Sequence, residues 1–431
     1  MRILYDIFFL IFSLAYLPVL IFKRKAHKDF AERFGMLPDN ITGLDRPVWI
    51  HGVSVGEAAV AVKISAEIKK RYPGIPVVIS TTTRTGNDMA VKNGSGAVDG
   101  FFYFPLDLSG VVHRVVKTLS PRLFMVVETE LWPNLLEELK SAGVPAVLAN
   151  GRISDRSFSN YKKVKFIAER MLDNFALLCA QTRQDASRLV ALGASADRVK
   201  ITGNMKFDGA ISDVPAGPLW PSVPGKTEKE EILVAGSTHF PEENSVIDAY
   251  VKLRKKRPGL KLVLAPRHIE RTEAIGVYLS ARGLEYERLS DLIEKSGSFG
   301  DVVIVDRIGY LKGIYALATV VFIGGSLAKK GGQNPIEPAS YAKPVIFGPN
   351  MWNFRQVAAL FIESGAAMTI REASELDTAV LKILEDDGLR KSMGKAALNV
   401  VMENAGAVVR TVDEAEKYLV QGHFNEGLKK G

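Results

Sequence analysis

Cysteine is almost missing from this chain of 431 residues: Cys179 stands alone, so no internal disulfide can form. It lies in the apolar run FALLCA, a setting that suits a small buried residue better than a reactive nucleophile. The six histidines form no HExxH and there is no CxxC, so zinc ligands at their usual spacings are absent. No glycine loop ends in GKS or GKT, and Gly94-Ser-Gly96 has no strand before it. Neither a P-loop nucleotidase nor a dinucleotide-binding fingerprint is supported. Short repeats and low-complexity tracts are lacking as well.

What is present is apolar and basic. A hydrophobic content of 47% over this length supports full cores and an expectation of two domains. The net charge of +8 and a pI near 9.2 fit an anionic partner: nucleic acid, a membrane surface or an acidic substrate. Ile3–Phe22 (ILYDIFFLIFSLAYLPVLIF) is apolar apart from Asp6, with Pro18 inside it. At about 20 residues it is long enough, as a helix, to reach across a bilayer core. Only Arg2 precedes it and no small-residue cleavage site follows, which favours a retained membrane segment over a cleaved signal peptide. Lys23, Arg24, Lys25 and Lys28 then place the following chain on the cytoplasmic side. A helix lying in the interface would satisfy the same residues.

From Pro47 onward apolar strands alternate with amphipathic helices. VWIHGVS leads into Glu57–Tyr72, VVISTTT into a helix from about Thr85, and LFMVVETE into Pro133–Ala142. This alternation predicts a parallel, doubly wound sheet. Asp213–Thr227 (DVPAGPLWPSVPGKT) is rich in proline and glycine and reads as a linker. A second series follows through EILVAGS, LKLVLAP, DVVIVD, TVVFIGG and PVIFG. The expected divisions are a membrane helix over 1–22, a Rossmann-like domain over 23–212, a linker over 213–227 and a second Rossmann-like domain over 228–431. The last helix could pack back on the first domain.

In open α/β sheets ligands bind beyond the carboxyl ends of the strands, so the residues there are the candidates. Glu57 in HGVSVGE opens the first helix. It reads either as a general base for an attacking hydroxyl or as a first-turn acid that helps its helix. Glu128 and Glu130 leave one buried strand and are expected on opposite faces, so one of the two should meet a ligand. Lys206, in GNMKFD, could neutralise a phosphate or carboxylate, as could Arg267 with His268 after LVLAP. Ser237-Thr238-His239 opens another helix. In GGSLAKKGGQNPIEPASYAKPVIFGPNMWNF, Gly324 to Phe354, a glycine loop runs into a predicted helix with Asn334 as N-cap and Pro335 at its first position. Free N–H groups there, joined by Ser326 and Lys330, would suit an anion, and Glu337 reads either as a partner for sugar hydroxyls or as a capping acid on an ordinary helix. Together these parts fit transfer of a sugar from a nucleotide donor to a hydroxyl on a membrane molecule, with no metal demanded.

The segments HGVSVGE, TTTRTG, VETELWPNLL, ANGRIS, GNMKFD, PRHIER and Gly324–Phe354 resemble, in order, the Kdo (3-deoxy-D-manno-octulosonic acid) transferases of lipopolysaccharide synthesis. The resemblance runs from the N-terminal segment to about residue 400. It implies a GT-B fold, two Rossmann-like domains facing a cleft behind an N-terminal membrane helix. It also implies CMP-Kdo as donor, the lipid A precursor as acceptor and the cytoplasmic face of the inner membrane as the place of action. Among expected partners are therefore membrane lipids and no nucleic acid, and no cofactor is expected. By motif position Glu57 matches the family's proton acceptor, and Glu128 and Lys206 match its transition-state-stabilising positions. Pro266 and Arg267, Ile308, Gly309 and Tyr310, and Asn334, Pro335, Ile336 and Glu337 match its CMP-binding positions. Tyr310 departs from the pattern, since the family carries an acid after the glycine. The alternatives are another membrane-associated nucleotide-sugar transferase and a sugar-nucleotide epimerase of the same shape.

Overall fold

A computed structural model describes residues 5–7, 30–208, 230–295 and 300–427. The chain forms two compact units, Met1–Met205 with Gly406–Gly431, and Lys206–Ala405. The expected linker 213–227 lies outside the described residues, and so does the apolar segment Ile3–Phe22 apart from Tyr5–Ile7. Among the described residues no helix is long and apolar enough to cross a membrane.

The first unit is built on seven parallel strands: β1 (Val48–Gly52), β2 (Val77–Thr81), β3 (Gly100–Tyr103), β4 (Leu123–Val127), β5 (Ala146–Gly151), β6 (Leu177–Ala180) and β7 (Val199–Ile201). Their order is β3-β2-β1-β4-β5-β6-β7, the doubly wound arrangement. Helices cover both faces, so the central strands are largely apolar and every residue of β1, β2 and β4 is buried. One face packs Trp49, Phe102, Phe124 and Leu148; the other packs Ile50, Ile64, Met125 and Cys179. Cys179 is fully buried, and burial pushes its thiol up to about 12. The final helix, Ala407–Gly427, belongs to this second face, to which it adds Ala407, Val408, Val412, Ala415 and Leu419.

The second unit also has a seven-stranded parallel sheet, from β8 (Ile232–Thr238), β9 (Lys261–Pro266), β10 (Glu287–Arg288), β11 (Val302–Ile304), β12 (Val320–Ile323), β13 (Val345–Phe347) and β14 (Ala367–Thr369). The order is β10-β11-β9-β8-β12-β13-β14. A smaller cluster of Phe207, Ile336, Ala339, Val357, Phe361 and Val401 lies beside its two main cores.

Helix starts follow the capping chemistry of the sequence. Ser54 caps Val55–Arg71, Thr83 caps Arg84–Asn93 and Ser154 caps Asp155–Lys163, each hydroxyl accepting a first-turn N–H. Val55–Arg71 ends in Lys69-Lys70-Arg71, which complements the negative end of the helix dipole.

Candidate functional site

The strand order of the first unit reverses between β1 and β4, and the expected acids stand on the two sides of that point. Beyond β1, Gly52 presses against the next helix: a Cβ there would come within 2.8 Å of the Glu57 carbonyl carbon. Glu57 occupies the first turn of Val55–Arg71, and both oxygens of its carboxylate are engaged. Oε2 accepts from the Val53 N–H at 2.7 Å and Oε1 from Ser54 Oγ at 2.7 Å. Ser54 Oγ in turn accepts from the Glu57 N–H at 3.4 Å, which completes a reciprocal cap. The helix-supporting reading of Glu57 is therefore realised. A carboxylate has about four acceptor sites, so two bonds leave it capacity for a substrate proton.

Beyond β4 the sequence expectation fails in an informative way. Glu128 has a left-handed backbone, φ 61°, and its N–H donates to the Ala149 carbonyl at 2.9 Å. Residues two apart along a strand share a face, so the expectation that Glu128 and Glu130 part to opposite faces does not hold. Both line one cavity of about 260 Å³, with Thr129, Arg152, Ser154, Ser157 and Tyr161. Thr129 Oγ1 donates to the Arg152 carbonyl at 2.5 Å and accepts from its N–H at 3.1 Å, which ties the two loops together. Burial pushes Glu130 up to about 7, and the charges of Glu57 and Glu128 add to the rise. Three acids thus share one electrostatic neighbourhood. Tyr161 is raised by burial and then by the Glu130 charge. Behind the site His51 is fully buried, stacked on Phe104 with ring centroids 3.8 Å apart, and its Nδ1 lies 3.0 Å from Ser80 Oγ. Burial holds it neutral by lowering its pKa to about 3.

In the second unit the order reverses between β8 and β12. Arg267 follows Pro266 at the end of β9 and is exposed, its N–H donating to the Thr238 carbonyl at 2.9 Å. His239 lies edge-on to His268 at 5.5 Å, and burial first holds its pKa down, helped by the charges of His268, Lys330 and Arg267 and opposed by that of Glu242. This is a cationic neighbourhood suited to phosphate or carboxylate. Ile308 is 83% exposed, Gly309 has φ 100°, and Tyr310 leads into the helix Leu311–Leu317. Lys206 is the first residue of this unit, its Nζ 5.5 Å from the centre of the Phe354 ring. Glu57 and Glu128 belong to the first unit.

Two expectations about the glycine loop need correction. The helix is Ile336–Ser340, so Pro335 precedes it instead of starting it, and its length is five residues. The N-cap is accordingly Pro335 and not Asn334, although Asn334 still serves the helix start: Oδ1 accepts from the Ile336 N–H at 3.0 Å, while Nδ2 donates to Glu337 Oε1 at 3.2 Å. Ile336 is 1% exposed and packs on Phe207 and Phe361, so its side chain faces the core. The row of free loop N–H groups is also largely spent within the protein. Gly325, Leu327 and Ala328 donate to Glu242, and Lys330 and Gly332 donate to the Gly325 carbonyl. Glu242 had no role in the sequence reading. Its signal was a pair of adjacent acids, Glu242-Glu243, opening a helix whose neighbours are apolar.

The fold is that of proteins built from two parallel α/β units. The UDP-GlcNAc 2-epimerase from Neisseria meningitidis, solved bound to UDP-GlcNAc, superposes with a TM-score of 0.60 over 86% of this chain and 99% of that one. At 12% identity the likeness is one of fold. Residues 28–209 match the family model described as 3-deoxy-D-manno-octulosonic-acid transferase (kdotransferase). The 3-deoxy-D-manno-octulosonic acid transferase of Haemophilus influenzae is 32% identical, over 90% of this chain and 91% of that protein. That of Bordetella pertussis is 32% identical, over 87% and 88%. The chain belongs to the 3-deoxy-D-manno-octulosonic acid (Kdo) transferase family and is a glycosyltransferase.

Proposed function

We propose that the protein transfers Kdo from CMP-Kdo to a hydroxyl of the lipid A precursor, lipid IVA, in lipopolysaccharide biosynthesis. Glu57 takes the proton from the acceptor hydroxyl, which attacks the anomeric carbon of Kdo in line and inverts it. CMP leaves with the bonding electron pair. Glu128 and Lys206 stabilise the transition state, and Pro266, Arg267, Ile308, Gly309, Tyr310 and Asn334–Glu337 hold CMP, with Ile336 contributing through its backbone.

The observation that carries this reading is the carboxylate of Glu57 at the switch point of the first unit, fixed by the Val53 N–H and the Ser54 hydroxyl. A general base must be held before it can act, and removal of one costs about 10²–10⁴-fold in rate. Glu57→Gln is expected to bind CMP as the parent does and to lose turnover by that factor. Incubation of the purified protein with CMP-Kdo and lipid IVA, followed by mass spectrometry of the lipid, provides the readout. Unlabelled lipid together with epimerised sugar nucleotide would favour the epimerase alternative.

The reading includes the cytoplasmic face of the inner membrane as the place of action. Asp6 accepts hydrogen bonds from the Ser109 N–H and hydroxyl and from Asn134 Nδ2, so it rests on the first unit. A tag before residue 1 separates the two membrane readings of Ile3–Phe22: cleavage by protease in inverted membrane vesicles fits a segment lying in the interface, and cleavage in spheroplasts fits one that crosses.

A further inference from the structure

The carboxylate of Glu242 accepts four backbone N–H groups and is 1% exposed. Oε2 accepts from His239 at 2.9 Å and Gly325 at 2.7 Å; Oε1 accepts from Leu327 at 2.8 Å and Ala328 at 3.1 Å. Glu242 opens the helix after β8, while the other three donors lie in the loop after β12, so one side chain ties together both sides of the switch point. The loop is closed further by Lys330 and Gly332, both donating to the Gly325 carbonyl, and by Gln333, which donates to the Gly324 carbonyl at 3.0 Å. It leaves no slack at Gly324, where a Cβ would come within 2.3 Å of the Ser237 carbonyl oxygen.

We infer that Glu242 is a positioning residue for donor binding: its buried carboxylate stands where a ligand anion would stand and pre-shapes the loop that carries Asn334–Glu337. This rests on the reading of those residues as donor contacts. Charge-assisted bonds to four N–H groups compensate the burial of the charge. A glutamine of the same shape offers one acceptor oxygen and turns an amide NH₂ against two N–H donors, so half the loop loses its anchor.

Glu242→Gln is expected to raise KM for CMP-Kdo about tenfold or more, with KM for the lipid acceptor and kcat within about twofold of the parent. Glu243→Gln is the matched control, because Glu243 is also fully buried and bonds Arg271 outside the loop at 3.0 Å. An unchanged donor KM in Glu242→Gln, or an equal rise in Glu243→Gln, overturns the inference. Should Glu242→Gln fail to fold, hydrogen exchange on the unliganded parent decides: slow exchange at Leu327 and Ala328 supports a pre-shaped loop, and fast exchange refutes it. Glu337→Ala tests the donor reading separately, since an unchanged donor KM there defeats that reading while the exchange result still reports on Glu242.

Discussion

At neutral pH Glu130 is divided between its charged and protonated forms, because burial and the charges of Glu57 and Glu128 oppose ionisation. Its pKa rises from an ordinary 4.5 to about 7, so the folded protein holds this proton more tightly than the unfolded chain does. The resulting stabilisation is complete below about pH 4.5 and is lost as pH rises through about 7. Glu130→Gln, which cannot titrate, is expected to flatten the decline of the unfolding midpoint between about pH 5 and pH 8. Parallel curves for parent and variant would show that the three acids do not interact as described. Ser54 makes a second prediction at this scale. Its hydroxyl caps the helix Val55–Arg71 and holds Glu57 Oε1, so Ser54→Ala is expected to cost about 1 kcal/mol in chemical denaturation, as helix caps do. It should also lower kcat, since the carboxylate loses one of its two fixings.

The elements that position these residues were legible in the sequence where local rules decide them. Strands β1, β2 and β4 are largely apolar runs closed by glycine, threonine or acids, and the helices after β1 and β2 start at side-chain caps that can be read directly. What local rules do not show is a backbone that leaves its regular conformation or a partner that lies far along the chain. Nothing in VVETE announces that Glu128 turns left-handed, although the spacing of two does put Glu130 on its side. Likewise the glycine loop advertises free N–H groups, and only the fold brings Glu242 back to them from more than 80 positions earlier. Gly324 offers a sharp test of that tight closure. Gly324→Ala would force a methyl into the Ser237 carbonyl and the Thr238 Cα, so a loss of about 3 kcal/mol or more is expected in equilibrium unfolding. An alanine variant of parental stability would mean that the strand ends are not packed so closely.

On the scale of the whole molecule, the first unit takes its last helix from the far end of the chain. Ala407, Val408, Val412, Ala415 and Leu419 are all at most 6% exposed, and full burial of each larger side chain contributes about 1.5–3 kcal/mol. A chain stopped after Ala405 is therefore expected to lose the calorimetric transition of its first unit, while Lys206–Ala405 keeps its own. Domains ordinarily fold in the order in which the ribosome delivers them. Here the sheet that emerges first must wait, part of one apolar flank uncovered, until some two hundred further residues have been made. The unit begun second is thus the one finished first, and a nascent chain stalled short of its terminus is a ready client for any chaperone that binds exposed hydrocarbon.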